Sequence, residues 1–233
     1  MSENSASPVV FDLDGTLLDH ARSSRTAVLV WARKTHPRSE RTAEDVVVEW
    51  KRLEDEHFPL FTERVITFEE QRARRIRSMD AFMDPCIGAE EHSTFDDYLQ
   101  QYEAAWTAYS DVTSALEALS RRGHPLYVFT NGQRGQQERK IQALGLSHLV
   151  RDLVASSELS ASKPSPRAFE EAWERLGLRP TSGHYVGDDL TVDVLGANAA
   201  GIKPIWLDRE HRAGDHPGRR VTSLLEVEQL LDG

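Results

Sequence analysis

Cysteine is almost absent: Cys86 is the single one among 233 residues. It has no partner for an internal disulfide, and there is no cysteine set to hold zinc. It reads as a small hydrophobe in or near a core rather than a reactive thiol. Long apolar runs are also missing. None approaches the ~20 residues that cross a bilayer as a helix, so no membrane partner is expected. The opening MSENSASP lacks the basic and apolar regions of a secretory signal. Residues 1–7 read as a frayed tail, and the expected compartment is the cytoplasm. Basic residues are outnumbered, 28 against 38 acidic, for a net charge of −10. Such a chain repels nucleic-acid phosphates unless its cations are concentrated, so no nucleic-acid partner is expected. What is present suffices for a core: 39% of residues are hydrophobic, with five Trp, five Tyr and eight Phe. At about 150 residues per domain, the length suits one domain carrying a smaller insert.

Five short apolar runs mark the chain: Pro8 to Phe11, Leu126 to Phe129, Leu153 to Ala155, His184 to Val186 and Pro204 to Leu207. Uninterrupted runs of this length suit strands buried on both faces, as in a parallel sheet. Helical patterns lie between the later ones. Asp111 can cap a helix bearing Leu116 and Leu119, with Gly123 placed to stop it. Residues 134–144 carry Ile141 and Leu144 and stop at Gly145. Ser165-Pro166 opens a helix with Phe169, Trp173 and Leu176, closed by Gly177, and residues 189–200 form another, ended by Gly201. The alternation predicts an α/β fold with a Rossmann-like parallel sheet.

Residues 20–108 break that alternation, and no clear strand is visible there. Thr42, Thr67 and Thr94 each precede an acidic residue by three (Asp45, Glu70, Asp97), the pattern of a capping box. Phe95, Tyr98, Leu99, Tyr102, Trp106 and Tyr109 recur at helical spacing, which reads as core packing. The basic run Arg72 to Arg77 reads as a solvated helix face around a buried Ile76, with Glu69 and Glu70 as its partners. His211 and His216 fall in a Gly- and charge-rich loop and are expected to be exposed. The expected organisation is a core made of residues 1–18 and 109–233, with a helical insert at 19–108.

In parallel α/β sheets, ligands collect beyond the carboxyl ends of the strands. The first run is followed by Asp12 and Asp14, the second by Thr130 and Asn131, and the fourth by Gly187, Asp188 and Asp189; Lys163-Pro164 lies in the loop after the third. In an extended chain Asp12 and Asp14 point the same way, ~6.6 Å apart. Adding Asp188 gathers negative charge that a cation must neutralise. An oxygen-only ligand set favours a hard ion, Mg²⁺ first. Lys163, Thr130 and main-chain N–H groups supply positive character for phosphate oxygens. A metal, a carboxylate nucleophile and a phosphate clamp read together as phosphoryl transfer through an aspartyl-phosphate. One Asp after a strand is usually a turn or cap residue. The joint pattern carries the reading, although Asp189 at a helix start also suits the helix dipole.

These residues resemble the haloacid dehalogenase superfamily. Val9-Val10-Phe11-Asp12-Leu13-Asp14-Gly15-Thr16 is similar to its first motif, hhhhDxDGT. Phe129-Thr130-Asn131-Gly132 resembles the second, Lys163-Pro164 the third, and Gly187-Asp188-Asp189 through Asp193 the fourth, GDxxxxD. The four occur in order, and the segment between the first and second resembles the family's C1-type helical cap. The resemblance implies that Asp12 is the nucleophile and Asp14 the general acid, then the base. It implies Mg²⁺ on the Asp12 carboxylate, the Asp14 main-chain carbonyl and the Asp188 carboxylate, with Asp189 holding a metal-bound water. Asp193 would orient Lys163 or the metal shell, and Thr130, Asn131 and Lys163 would hold the phosphoryl group. The dehalogenases of the family lack the second Asp, so Asp14 points to the phosphatase branch. The expected activity is Mg²⁺-dependent hydrolysis of a small phosphorylated metabolite by a monomer or homodimer, with the cap excluding water and choosing the leaving group. A phosphomutase, a dehalogenase-like hydrolase and a non-catalytic phosphometabolite-binding module are the alternatives.

Overall fold

The computed structural model describes residues 6–88, 93–212 and 216–231; most of MSENSASP thus lies outside the described residues. Along the chain run β1 (Val9–Phe11), α1 (His20–Thr35), α2 (Ala43–Thr62), α3 (Phe68–Met83), α4 (Phe95–Ala104), α5 (Val112–Arg121) and β2 (Leu126–Thr130). They continue with α6 (Arg134–Ala143), β3 (Val150–Ala155), α7 (Pro166–Arg175), β4 (His184–Gly187), α8 (Gly196–Ala199), β5 (Lys203–Leu207), β6 (Arg219–Val221) and α9 (Val227–Leu231). Two compact units result. One comprises the chain up to Asp19 and from Thr107 onward, the other His20–Trp106. No helix among the described residues is long and apolar enough to cross a membrane.

The first unit is built on one six-stranded sheet in the order β3-β2-β1-β4-β5-β6, parallel throughout. The chain goes out from β1 to one side, then returns to place β4 on the other. The carboxyl ends of β1 and β4 therefore flank a switch point, where a parallel sheet opens a crevice. Val9, Val10 and Phe11 are fully buried, as expected of a central strand covered on both faces. Against one face, α7 lays Phe169, Ala172 and Trp173, spaced for one helical stripe, onto Val10, Phe129 and Tyr185.

All five predicted strands form, and a sixth, β6, joins the edge. Its sequence Arg-Arg-Val offers only Val221 to the core, so no apolar run announced it. The helix expected over residues 189–200 is instead a wide π-turn, Leu190–Leu195, running into the short α8. Such widened turns often mark functional sites. Asp111 stands at the start of α5 without capping it through its side chain. Its carboxylate instead takes both ends of the Arg209 guanidinium, at 3.0 Å each, together with Ser223 Oγ and the Leu224 amide. His216 is partly covered, with its ring 4.9 Å from that of Trp206, while His211 is exposed.

The second unit is helical, made of α1 to α4, with no strand among its described residues. Thr42 with Asp45 and Thr67 with Glu70 close as capping boxes, and at Thr94 the Asp97 carboxylate accepts from the amide (3.3 Å) and hydroxyl (2.8 Å). Trp31, Trp50, Tyr98 and Tyr102 fill the interior. The aromatic stripe is shorter than its spacing suggested: α4 ends at Ala104, so Trp106 and Tyr109 lie beyond it. The basic run also departs from a solvated face. Arg75 is buried, 3.2 Å from Glu54 and over the Trp50 ring, and Arg72 lies over Phe68. Cys86 is exposed rather than in a core.

Trp173 is 1% exposed within the core cluster under the sheet. Its replacement, Trp173→Ala, is expected to lower stability by about 3–5 kcal/mol in equilibrium urea unfolding, with Trp173→Phe costing far less. Equal midpoints for wild type and Trp173→Ala would contradict this packing.

Candidate active site

The site is assembled where β1, β2 and β4 end. Phe11 pairs in register with Val186, and the Asp12 amide donates to the Val186 carbonyl at 2.8 Å. Asp12 therefore leaves the sheet beside Gly187 and Asp188. Its side chain is 7% exposed. Lys163, 4% exposed, reaches it from the loop before α7. The ammonium donates to Asp12 Oδ1 (2.6 Å), Asp193 Oδ1 (2.7 Å) and Tyr185 Oη (2.7 Å). All three of its protons are used, so the buried cation is fully compensated. The Tyr185 hydroxyl in turn lies 3.0 Å from the Phe129 carbonyl and 3.2 Å from Asp193 Oδ1, to either of which it can donate.

Two glycines make the approach possible. Gly15 has φ +94°, the left-handed region, and a Cβ there would collide with the Asp188 carboxylate. At Gly187 a Cβ would run into the carboxyl group of Asp193. Thr16, held in the turn after Gly15, donates its hydroxyl to Asp188 Oδ1 at 3.2 Å. Asp12, Asp188 and Asp193 each place a carboxylate oxygen within 4.8 Å of the others. Three hard oxygens at that spacing suit a divalent cation such as Mg²⁺.

The expected site residues take different places in this arrangement. Asp12, Lys163, Asp188 and Asp193 come together. Thr130 ends β2 fully buried, its hydroxyl only 3.2 Å from the next residue's carbonyl. Asn131 is engaged otherwise than expected. Its side-chain amide donates to the Lys163 carbonyl and accepts from the Lys163 amide, both at 3.0 Å, so it fixes the Lys163 backbone instead of reaching out. Asp189 has one carboxylate oxygen engaged in the turn. Its Oδ1 accepts from the Thr191 and Val192 amides at 2.8 and 2.7 Å, capping the π-turn, while its own amide donates to Asp193 Oδ2 at 3.1 Å. Asp14 keeps its carboxylate apart from the three-carboxylate group and pairs with Lys140 at 2.6 and 2.7 Å.

Sequence reasoning missed Lys140, Tyr185 and Thr16. The inner face of α6 carried the only available signal for Lys140, since Gln137, Lys140 and Ile141 stand at helical spacing and all three are buried. Tyr185 hides within an apolar strand run, and Thr16 within the turn of the first motif.

Burial raises Asp12 well above the ordinary carboxylate value; the Lys163 charge opposes this, while Asp193 and Asp188 add to it. Burial, then the charge of Asp193, pushes Asp188 up to about 7 against the Thr16 hydrogen bond. Burial alone would lower Lys163, but Asp12 and Asp193 more than offset it and hold the ammonium above the usual lysine range. Tyr185 is raised by burial and by Asp193 and Asp12, and so keeps its proton. The pocket thus resists carrying all its carboxylates ionised, a cost that a divalent cation among their oxygens removes.

The sequence matches the haloacid dehalogenase-like hydrolase family over residues 9–201. The glyceraldehyde 3-phosphate phosphatase of Methanopyrus kandleri is 30% identical over 211 residues, spanning 86% of this chain and 83% of that one. The (S)-2-haloacid dehalogenase 2 of a Pseudomonas species is 30% identical over 128 residues, covering 53% of this chain and 56% of that one. A crystal structure of the Bacillus subtilis HAD-hydrolase YfnB, bound to magnesium, matches with a TM-score of 0.82 at 20% identity, over 99% of this chain and 100% of that one. At that identity the likeness bears on the fold alone. The family match spans the β1, β2 and β4 strand ends that gather Asp12, Lys163, Asp188 and Asp193, and on it the chain belongs to the haloacid dehalogenase-like hydrolases.

Proposed function

We propose that this hydrolase is a Mg²⁺-dependent phosphatase that cleaves a small phosphate monoester through an aspartyl-phosphate on Asp12. The observation that carries the reading is Asp14. It is a second carboxylate two residues past the nucleophile, outside the cluster, and its side chain is 28% exposed. Ester cleavage requires a proton on the leaving oxygen and later the removal of one from water. Displacing a halide from carbon needs no such acid, and binding a phosphate needs neither. The name of the phosphatase relative, which aligns over most of the chain, supports the same reading.

In this mechanism Lys163 holds Asp12 Oδ1, leaving Oδ2 to attack phosphorus in line with the leaving oxygen. Asp14 gives its proton to that oxygen. The same carboxylate then takes a proton from the water that attacks the aspartyl-phosphate, and phosphate departs with Asp12 restored. Lys163 and the Thr130 hydroxyl would hold the outer phosphoryl oxygens by exchanging present partners for them. Asn131 acts through Lys163 by fixing its backbone. Asp12, Asp188 and the Asp14 main-chain carbonyl would hold Mg²⁺, with the Asp193 carboxylate close by. The ion supplies charge neutralisation for the pocket and for the transferring phosphoryl group. Substrate choice is assigned to His20–Trp106 acting as a C1-type cap, and the cytoplasm is the proposed compartment. The half-length similarity to a haloacid dehalogenase supports the competing reading.

Hydrolysis of p-nitrophenyl phosphate should require Mg²⁺, and Asp12→Asn should lower kcat at least about a thousandfold. Release of halide from 2-chloropropionate, with no turnover of any phosphate ester, would overturn the phosphatase reading in favour of the dehalogenase.

A second expectation concerns pH. Asp188 is raised to about 7 in the folded chain from an ordinary value of 3.8. A raised acid favours folding below the lower value, and that contribution is lost as pH rises through about 7. A bound cation offsets the loss only where the carboxylate is ionised. Mg²⁺ should therefore raise the melting temperature more at pH 8 than at pH 5, as read by differential scanning fluorimetry. An equal rise at both would argue against a cation at Asp188.

A further inference from the structure

Lys140 is a buried ammonium that the mechanism above leaves without a task. It lies on the inner face of α6, its side chain 3% exposed, and it donates to both carboxylate oxygens of Asp14 at 2.6 and 2.7 Å. A surface ion pair would mean little. A lysine taken almost wholly out of water is different, because it is costly unless its partner is held in good geometry. The pair is also lopsided. Lys140 is sealed in, whereas Asp14 keeps 28% of its side chain open. The cation holds both carboxylate oxygens, while part of the Asp14 side chain stays accessible.

The charges around the site divide into two sets. Lys163 serves Asp12 and Asp193, and these with Asp188 form the group able to hold a cation. Asp14 is only two residues from Asp12, yet its carboxylate stands outside that group. A flexible carboxylate so close to a divalent ion would be drawn into its coordination shell, where it can no longer exchange a proton with a leaving oxygen or water. Two hydrogen bonds from one ammonium hold the Asp14 carboxylate in place.

We propose that Lys140 is a positioning residue for acid–base transfer, holding the partly exposed Asp14 carboxylate apart from the cation-binding carboxylates. The assignment rests on the phosphatase reading and goes beyond it, since nothing in the four motifs includes Lys140. A substrate whose leaving oxygen needs a proton should depend on Lys140 more than one that leaves unaided.

The test compares kcat of wild type and Lys140→Met, in Mg²⁺, on β-glycerophosphate and on p-nitrophenyl phosphate. The alkoxide leaving group needs the proton; the nitrophenolate does not. Lys140→Met should lower kcat on the alkyl ester about 10–100-fold and on the aryl ester several-fold less, with KM nearly unchanged. Lys140→Arg, which keeps two donors, should recover most of the loss. In an Asp14→Asn background, Lys140→Met should add almost nothing. Should Lys140→Met prove unstable, Lys140→Gln carries the same comparison. Equal losses on both esters, or losses that add to those of Asp14→Asn, would overturn the role of Lys140 while leaving the phosphatase reading intact. A wild-type chain inactive on both esters and on a phosphometabolite panel would overturn both.

Discussion

The structure around the strand ends depends on one buried ammonium. Lys163 is 4% exposed and gives one proton each to Asp12, Asp193 and Tyr185. Burying a lysine is expensive, as is burying two carboxylates, and the arrangement survives only because each compensates the other. Such a pair is poor evidence of stability, since apolar side chains of the same volume would often serve the fold as well. Its geometry is better explained by chemistry. One oxygen of Asp12 is tied down by the ammonium, which leaves the other without that restraint.

That requirement reaches outward through the fold. The Lys163 backbone must not drift, and Asn131 from the end of β2 holds its amide and carbonyl together. Asp193 must reach back from the π-turn, and Gly187 leaves the space it fills. The widened turn has its own support: Asp189 caps it with one carboxylate oxygen, and its amide steadies Asp193. The parallel order β2-β1-β4 brings the three strand ends side by side. A register shift in any of these pairs would move a ligand by a residue and flip its side chain to the other face.

The chain's own pattern reveals much of this and conceals the rest for identifiable reasons. Central strands are legible because both faces are covered: Val9 to Phe11 and Tyr185 to Val186 read as apolar runs. The charged edge strand β6 is not, since an edge exposes half its residues and can carry arginines. Asp188 and Asp189 are adjacent and identical in type, yet one faces the cluster and the other caps a turn; spacing alone does not separate them. Arg75 and Lys140 resemble surface cations in any local window. Their partners are distant in sequence, Glu54 in the first case and Asp14, 126 residues away, in the second. Local periodicity reports that a position is buried only when the residue there is apolar.

An acidic chain that acts on a phosphate ester faces a conflict of sign. With a net charge of −10, the protein repels its substrate at long range. Ions screen that repulsion beyond about 8 Å at physiological salt. Capture must therefore come from short-range features at the strand ends. Lys163 is the nearest of these, but Asp12 and Asp193 already claim it. In the proposed mechanism further positive charge would arrive with a cation, which the three clustered carboxylates could hold. On that reading the concentration of acid at the site serves substrate binding indirectly, by recruiting the charge that a phosphate needs. Asp14 is the exception: its carboxylate pairs with Lys140 and stands outside the three that could hold a cation.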